Sequence, residues 1–132
     1  FSFYTASLRE AHPNTAVLEV RDAAGRTLTL QAASTGGGRI RVDRLNGVDV
    51  SFTGMFNTLV VQHQDIAGKV ADVTRALSSA KINIANMSVC RDRRGGDALM
   101  VIETDQKVPP VVRVLIGELR GIRSLTYYEK EE

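Results

Sequence analysis

The sequence holds one cysteine, Cys90, and that scarcity excludes both an internal disulfide and an all-cysteine metal site within this chain. A near absence of cysteine pairs also suits a reducing cytoplasm. No apolar run approaches the roughly 18–20 residues that a membrane-spanning helix needs. The net charge of +2 is too small for a concentrated nucleic-acid-binding face. The chain opens Phe1-Ser2-Phe3-Tyr4, with neither a Met nor a basic-then-apolar leader, which predicts no signal peptide and a chain cut from something longer. What is present is ordinary for a folded protein: 43% hydrophobic and 24% charged residues over 132 positions argue against disorder. The local cluster of Arg91, Arg93 and Arg94 is interleaved with Asp92 and Asp97 and reads as a solvated hairpin tip.

Two patterns divide the chain. Residues 16–52 alternate with period two, the signature of half-buried strands. Val17, Leu18 and Val20 lead to the turn-rich Asp22-Ala23-Ala24-Gly25. Leu28, Leu30 and Ala32 then alternate with Thr27, Thr29 and Gln31, until Ser34-Thr35-Gly36-Gly37-Gly38 breaks the strand. Ile40 and Val42 resume the pattern. Asn46-Gly47, the strongest hairpin signal in the chain, returns it through Val48, Val50 and Phe52. A meander of this size buries too little apolar surface to stand alone, so it needs upstream sequence or a partner.

Beyond a boundary at Gly54–Asn57 the period changes. Leu59-Val60-Val61 is a short apolar strand, and Asp65 suits a helix N-cap. Ile66, Val70, Val73 and Leu77 follow at helical spacing, with Lys69, Asp72 and Arg75 on the other side. Ile82–Cys90 and Ala98–Glu103 read as strands around a turn at Arg91–Gly96. Pro109-Pro110 opens a second helix, with Val111, Leu115 and Leu119 predicted on its buried face and Gly121 ending it. Ile122–Tyr128 is the last strand. The order βαββαβ is that of the ferredoxin-like fold, which makes the whole chain α+β. Apolar residues on both faces of Ala98–Ile102 predict homo-oligomer contacts through residues 58–129.

Two constellations stand out. His63-Gln64-Asp65-Ile66-Ala67-Gly68 lies where a strand turns into a helix, a place whose unpaired N–H groups and dipole favour a carboxylate. Gly68 permits close backbone approach, and Asn83 is placed to reach the same spot. Asp65 is equally a simple helix cap. His12-Pro13-Asn14-Thr15 and the Ser34–Gly38 run are the other pair. Each is a surface loop on its own, and the glycine run lacks the spacing of a nucleotide-binding fingerprint. No nucleophile–base pair or metal-ligand set for an independent enzyme is legible.

The Asp65, Gly68, Asn83 and Ile84 positions resemble the ACT family of amino-acid-sensing domains, with Ala67 in place of the family's proline. In serine-binding members a His and an Asn two residues on contact the ligand; His63 and Asp65 occupy those positions, the second as a carboxylate. His-Pro-Asn-Thr, Ser-x-Gly-Gly-Gly and Asn-Gly ahead of such a domain resemble the β subunit of bacterial iron–sulfur-dependent L-serine dehydratase. That resemblance implies a fragment of an allosteric substrate-binding-type domain over residues 1–54 and an ACT domain over 58–132. It implies a lyase that converts L-serine to pyruvate and ammonia, with a 4Fe-4S cluster ligated by a partner α subunit and not by this chain. It makes His12 an acid/base or substrate-orienting group and Asn14 a holder of substrate or loop. Thr15, Ser34, Gly36, Gly37 and Gly38 would shape the loop platform or the interface. His63, Asp65, Gly68 and Asn83 would contact an effector such as L-serine, and Cys90 would be a small hydrophobe. The alternative it leaves is a purely regulatory module of the phosphoglycerate dehydrogenase type.

Overall fold

A computed structural model describes residues 2, 4, 5, 7–9, 11–91 and 93–130. Asp92, part of the expected hairpin tip, lies outside the described residues. Four strands come first: β1 (Thr15–Arg21), β2 (Thr27–Gly36), β3 (Arg39–Leu45) and β4 (Val48–Phe52). They form an antiparallel sheet in the order β1-β2-β3-β4. The turn between β3 and β4 is the expected Asn46-Gly47, with φ of 50° and 78°.

The remainder runs β5 (Asn57–Gln64), α1 (Lys69–Ser79), β6 (Ile84–Arg91), β7 (Asp97–Thr104), α2 (Pro110–Glu118) and β8 (Ile122–Tyr128). Its sheet has the order β6-β7-β5-β8, every neighbouring pair antiparallel. Both helices cover one face. Leu59, Val61, Met100 and Ile102 from the strands meet Val73, Leu77, Val112 and Ile116 from the helices in a first core.

The opposite face of this sheet is covered by the first sheet. Val60, Leu99 and Val101 pack with Val42, Leu45, Val50 and Phe52 in a second core, giving three layers: helices, sheet, sheet. Strands β5 and β7 are therefore apolar on both faces because both faces are buried. This corrects two expectations. The meander finds its missing apolar surface inside this chain, and the outer face of Ala98–Ile102 is covered by the chain's own strands and not by a second copy.

Two local expectations also change. Helix α1 starts at Lys69, with Gly68 as its N-cap at φ 90° and no side-chain cap, so Asp65 does not cap it and Ile66 stays outside it. On α2 the buried residues are Val112 and Ile116, with Leu119 packed alongside, while Val111 and Leu115 are 66% and 56% exposed. The helix is apolar almost all round, so periodicity alone does not choose its inner face. Its phase is set from outside, by buried Val108, whose N–H donates to the Tyr127 hydroxyl at 3.0 Å.

Candidate functional site

The first site is built at one end of the first sheet. Proline at position 13 keeps His12 out of the helical region, and the chain then closes on itself before entering β1. The Thr15 hydroxyl donates to the His12 carbonyl at 2.6 Å, and the Asn14 N–H donates to His12 Nδ1 at 3.2 Å. Accepting that bond requires Nδ1 to be bare, so in the neutral ring the proton sits on Nε2. His12, Pro13 and Asn14 are all exposed.

Strand register brings the glycine run to the same place. Thr15 pairs with Ala33, and one step further on the Ser34 N–H donates to the Asn14 carbonyl at 2.9 Å. Gly36, Gly37 and Gly38 then make the β2–β3 turn with φ of 92°, 62° and 74°. A Cβ at any of the three would meet nothing of this chain within 4 Å. Within the chain, glycine is needed there for its backbone conformation and not for room. His12, Asn14, Thr15, Ser34 and the three glycines thus form one exposed two-loop surface.

The second site lies where β5 runs into α1. His63 follows Leu59 and Val61 on the helix-facing side of β5 and is 2% exposed. Its Nδ1–H donates to the Gln64 carbonyl at 2.9 Å; a carbonyl only accepts, so in the neutral ring the proton is on Nδ1 and Nε2 is a bare acceptor. That Nε2 is buried without a hydrogen-bond partner among the described residues. Asp65 turns the other way. Its Oδ2 accepts from the Gly95 N–H at 3.0 Å and from Arg91 Nη1 at 2.9 Å, while its own N–H donates to the Gly96 carbonyl at 2.8 Å. These donors, the Gly95 amide first and Arg91 next, hold its carboxyl below the ordinary carboxylate range.

Two residues that the sequence patterns assigned to helix positions and not to a site complete this corner. Lys69 is buried, with Nζ donating to Asp72 Oδ2 at 2.7 Å and to the Arg120 carbonyl at 2.6 Å. Gly121, at φ 86°, accepts from the Gln64 N–H at 2.8 Å and lies against the Lys69 side chain. Asn83 is not in this corner. Ile84 pairs with Thr104 whereas His63 pairs with Ala98, so Asn83 sits at the opposite end of the sheet. There its Nδ2 donates to Asp105 Oδ2 at 2.6 Å, beside an open groove of about 700 Å³ between α1 and β6. Within one chain, the expectation that Asn83 joins His63 and Asp65 is corrected.

Cys90 stands half-buried on β6. Among the described residues no group of three or more His, Cys, Asp or Glu stands close enough to hold a metal ion, so these residues do not fit as ligands of an iron–sulfur cluster. Among them, too, no helix is long and apolar enough to cross a membrane.

Residues 57–116 match the ACT domain family. Over 115 residues, 87% of this chain and 52% of the relative, the chain is 36% identical to a probable L-serine dehydratase, beta chain, of Bacillus subtilis (strain 168). It is 21% identical over 127 residues, 96% of this chain and 56% of the relative, to the L-serine dehydratase, beta chain, of Peptoniphilus asaccharolyticus. A D-3-phosphoglycerate dehydrogenase of Bacillus subtilis (strain 168) is 36% identical over 90 residues, 60% of this chain and 17% of that enzyme. The chain spans about half the length of the dehydratase beta chains it matches.

Proposed function

Since residues 57–116 form an ACT domain and most of the chain is similar to L-serine dehydratase beta chains, we propose that it works as the β part of such a lyase. In this reading it completes an active site that belongs to an α chain and has no turnover alone. The 4Fe-4S cluster would be held by the α chain and would supply Lewis-acid chemistry at the leaving hydroxyl of L-serine.

The observation that carries the reading is the 2.9 Å bond from the Ser34 N–H to the Asn14 carbonyl. It joins the two loops that the dehydratase resemblance singles out into one exposed surface, as a docking platform requires. The proton state of His12 refines its role. With Nδ1 accepting from Asn14, Nε2–H is the group left to face a substrate, and in the neutral ring it can donate a hydrogen bond. This favours orienting a substrate over proton transfer. Asn14 sets the ring through its backbone N–H. The glycine turn gives a partner backbone room to lie close.

The ACT corner is read as an effector site for a small amino acid such as L-serine. Its support is the buried, bare Nε2 of His63, an acceptor whose desolvation nothing in the described chain offsets. A ligand ammonium or hydroxyl would satisfy it. Because Asn83 lies at the far end of the sheet, a ligand touching both residues needs a second copy of the chain. The free edge of β6, with Met87 36% and Val89 44% exposed, is where homo-oligomer contacts through residues 58–129 are proposed. Sedimentation of the chain as a monomer at high concentration would refute that assembly.

The test of the main reading is reconstitution with an α chain. Serine turnover should appear only on mixing, and His12→Ala should abolish most of it while the two chains still co-purify. Undiminished turnover by the variant removes the proposed role of His12. The regulatory reading, comparable to the end of a D-3-phosphoglycerate dehydrogenase, is favoured instead if no α chain binds.

A further inference from the structure

Where the first sheet hands the chain to the second, a buried carboxylate takes two donors. Glu103 follows Leu99 and Val101 along β7 and is 4% exposed. Its Oε1 accepts from the Thr53 N–H at 3.3 Å, and its Oε2 accepts from Asn86 Nδ2 at 3.0 Å. Thr53 directly follows β4, at the exit of the first sheet. Asn86 lies on β6, the edge strand of the second.

The pairing of β6 is adapted to this contact. Ile84 faces Thr104 and Asn86 faces Glu103, so the register slips by one residue between them. A regular ladder would set Ala85 opposite Glu103; the slip sets a side-chain amide there instead. The linker is shaped around its own end of the contact. Gly54 follows Thr53 at φ 72°, a conformation that favours glycine. Asn57 fixes the far end, donating to the Asp105 carbonyl at 3.4 Å and accepting from the Lys130 N–H at 3.3 Å. Glu103 anchors the near end.

The two bonds depend on each other. Hydrogen bonds to a carboxylate are about twice as strong as neutral ones, and here they offset the water that Glu103 gives up. Each donor holds one oxygen, and together they fix the side chain in one rotamer. Removing Asn86 frees Oε2 to turn towards the exposed edge, and Oε1 then holds Thr53 less firmly. Asn86 is itself exposed, so the contact runs from the surface to the interior.

We propose that Glu103 is a relay between the two sheets, with Asn86 on the β6 edge as its input and the Thr53 N–H as its output. A molecule settling along β6 and competing for Asn86 would change the hold on the exit of the first sheet. That consequence rests on the β6 contacts proposed above; the relay belongs to the single chain.

The experiment is amide hydrogen exchange on the 132-residue chain, kept dilute. Glu103→Ala should speed exchange at Thr53 by roughly tenfold or more, as loss of a charged hydrogen bond predicts. Asn86→Ala, whose side chain donates to Glu103, should speed it at least about twofold, the smallest coupling expected of groups that share a partner. Amides of Leu59 and Met100 should stay as they were. With Glu103→Ala already in place, Asn86→Ala should add nothing at Thr53. Should Glu103→Ala unfold, Glu103→Gln replaces it and should about halve the effect of Asn86→Ala. Thr53 exchange unmoved by Asn86→Ala, or moved equally whichever residue stands at 103, would overturn the relay. Rates raised alike across residues 58–129 would show general loosening and overturn it too. None of these rates involves an α chain, so failure here leaves the lyase reading standing.

Discussion

Asp65 and Arg91 meet across 26 positions of sequence at 2.9 Å, and the same carboxylate oxygen takes the Gly95 N–H at 3.0 Å. One side chain thus ties the loop between β5 and α1 to the hairpin between β6 and β7. The Asp65 carboxyl is held low chiefly by the Gly95 amide and then by Arg91. A lowered folded value means that the tie contributes fully above the unfolded Asp value of about 3.9 and is lost as pH falls through the folded one. The Gly95 amide resonance should therefore titrate with a midpoint below about 3.9, and Arg91→Ala should move that midpoint upward. A native midpoint at or above the ordinary value means that the tie does not form in solution.

The shared core predicts that the two sheets unfold together. Phe52 is buried against the second sheet from the first, and Phe52→Ala should cost about 3–5 kcal/mol. Amides of Ala33 and Val42 should lose hydrogen-exchange protection together with those of Val60 and Val101. Early exchange confined to β1–β4 would show instead that the meander is held only loosely.

Much of this architecture is legible in the residue pattern, and the misses share a physical cause. Period-two alternation and Asn46-Gly47 place the hairpins because those signals are local. The continuous apolar run Leu59-Val60-Val61 marks a strand buried on both faces, but it does not say what buries the second face. That partner, Phe52 and its neighbours, comes from the preceding sheet. Asp65 shows the same limit. An acidic residue ahead of a helix satisfies the local rule for a cap, yet Gly68 sets the helix start and the carboxylate finds donors in a distant hairpin. The joining of Asn14 to Ser34 depends on the β1–β2 register, which a single loop does not reveal.

Helix α2 gives a direct check of phase. Ile116 is fully buried and Leu115, its neighbour, is largely exposed. Ile116→Ala should cost about 2–5 kcal/mol, whereas Leu115→Lys should stay within about 0.5 kcal/mol. Denaturant titration of both variants decides it; equal losses would mean that the helix is rotated from the phase described.

Gly121 carries two demands at once. Its φ of 86° disfavours any side chain, and a Cβ there would lie 3.3 Å from Lys69 Cδ. The left-handed conformation alone costs roughly 1–2 kcal/mol, and crowding Lys69 adds to it. Gly121→Ala should lower the urea midpoint by at least that equivalent without changing the slope. A neutral outcome would mean that Lys69 readily swings aside and that its bond to the Arg120 carbonyl contributes little.

Gly37 poses the opposite case, and it separates folding from docking. Its φ of 62° lies in the region that asparagine tolerates best among residues with a side chain, and a Cβ there would meet nothing of this chain within 4 Å. Gly37→Asn should therefore shift folding stability by no more than about 1 kcal/mol. If the glycine turn is part of the platform proposed to meet an α chain, the same side chain fills space that the partner's backbone would occupy. Affinity for that chain, measured by surface-immobilised binding, should then fall by roughly tenfold or more, since overpacking a fitted contact costs about 1–3 kcal/mol. Affinity unchanged in a stably folded variant would place the turn outside the interface and leave the His12 segment as the only part of the two-loop surface still proposed to reach the partner.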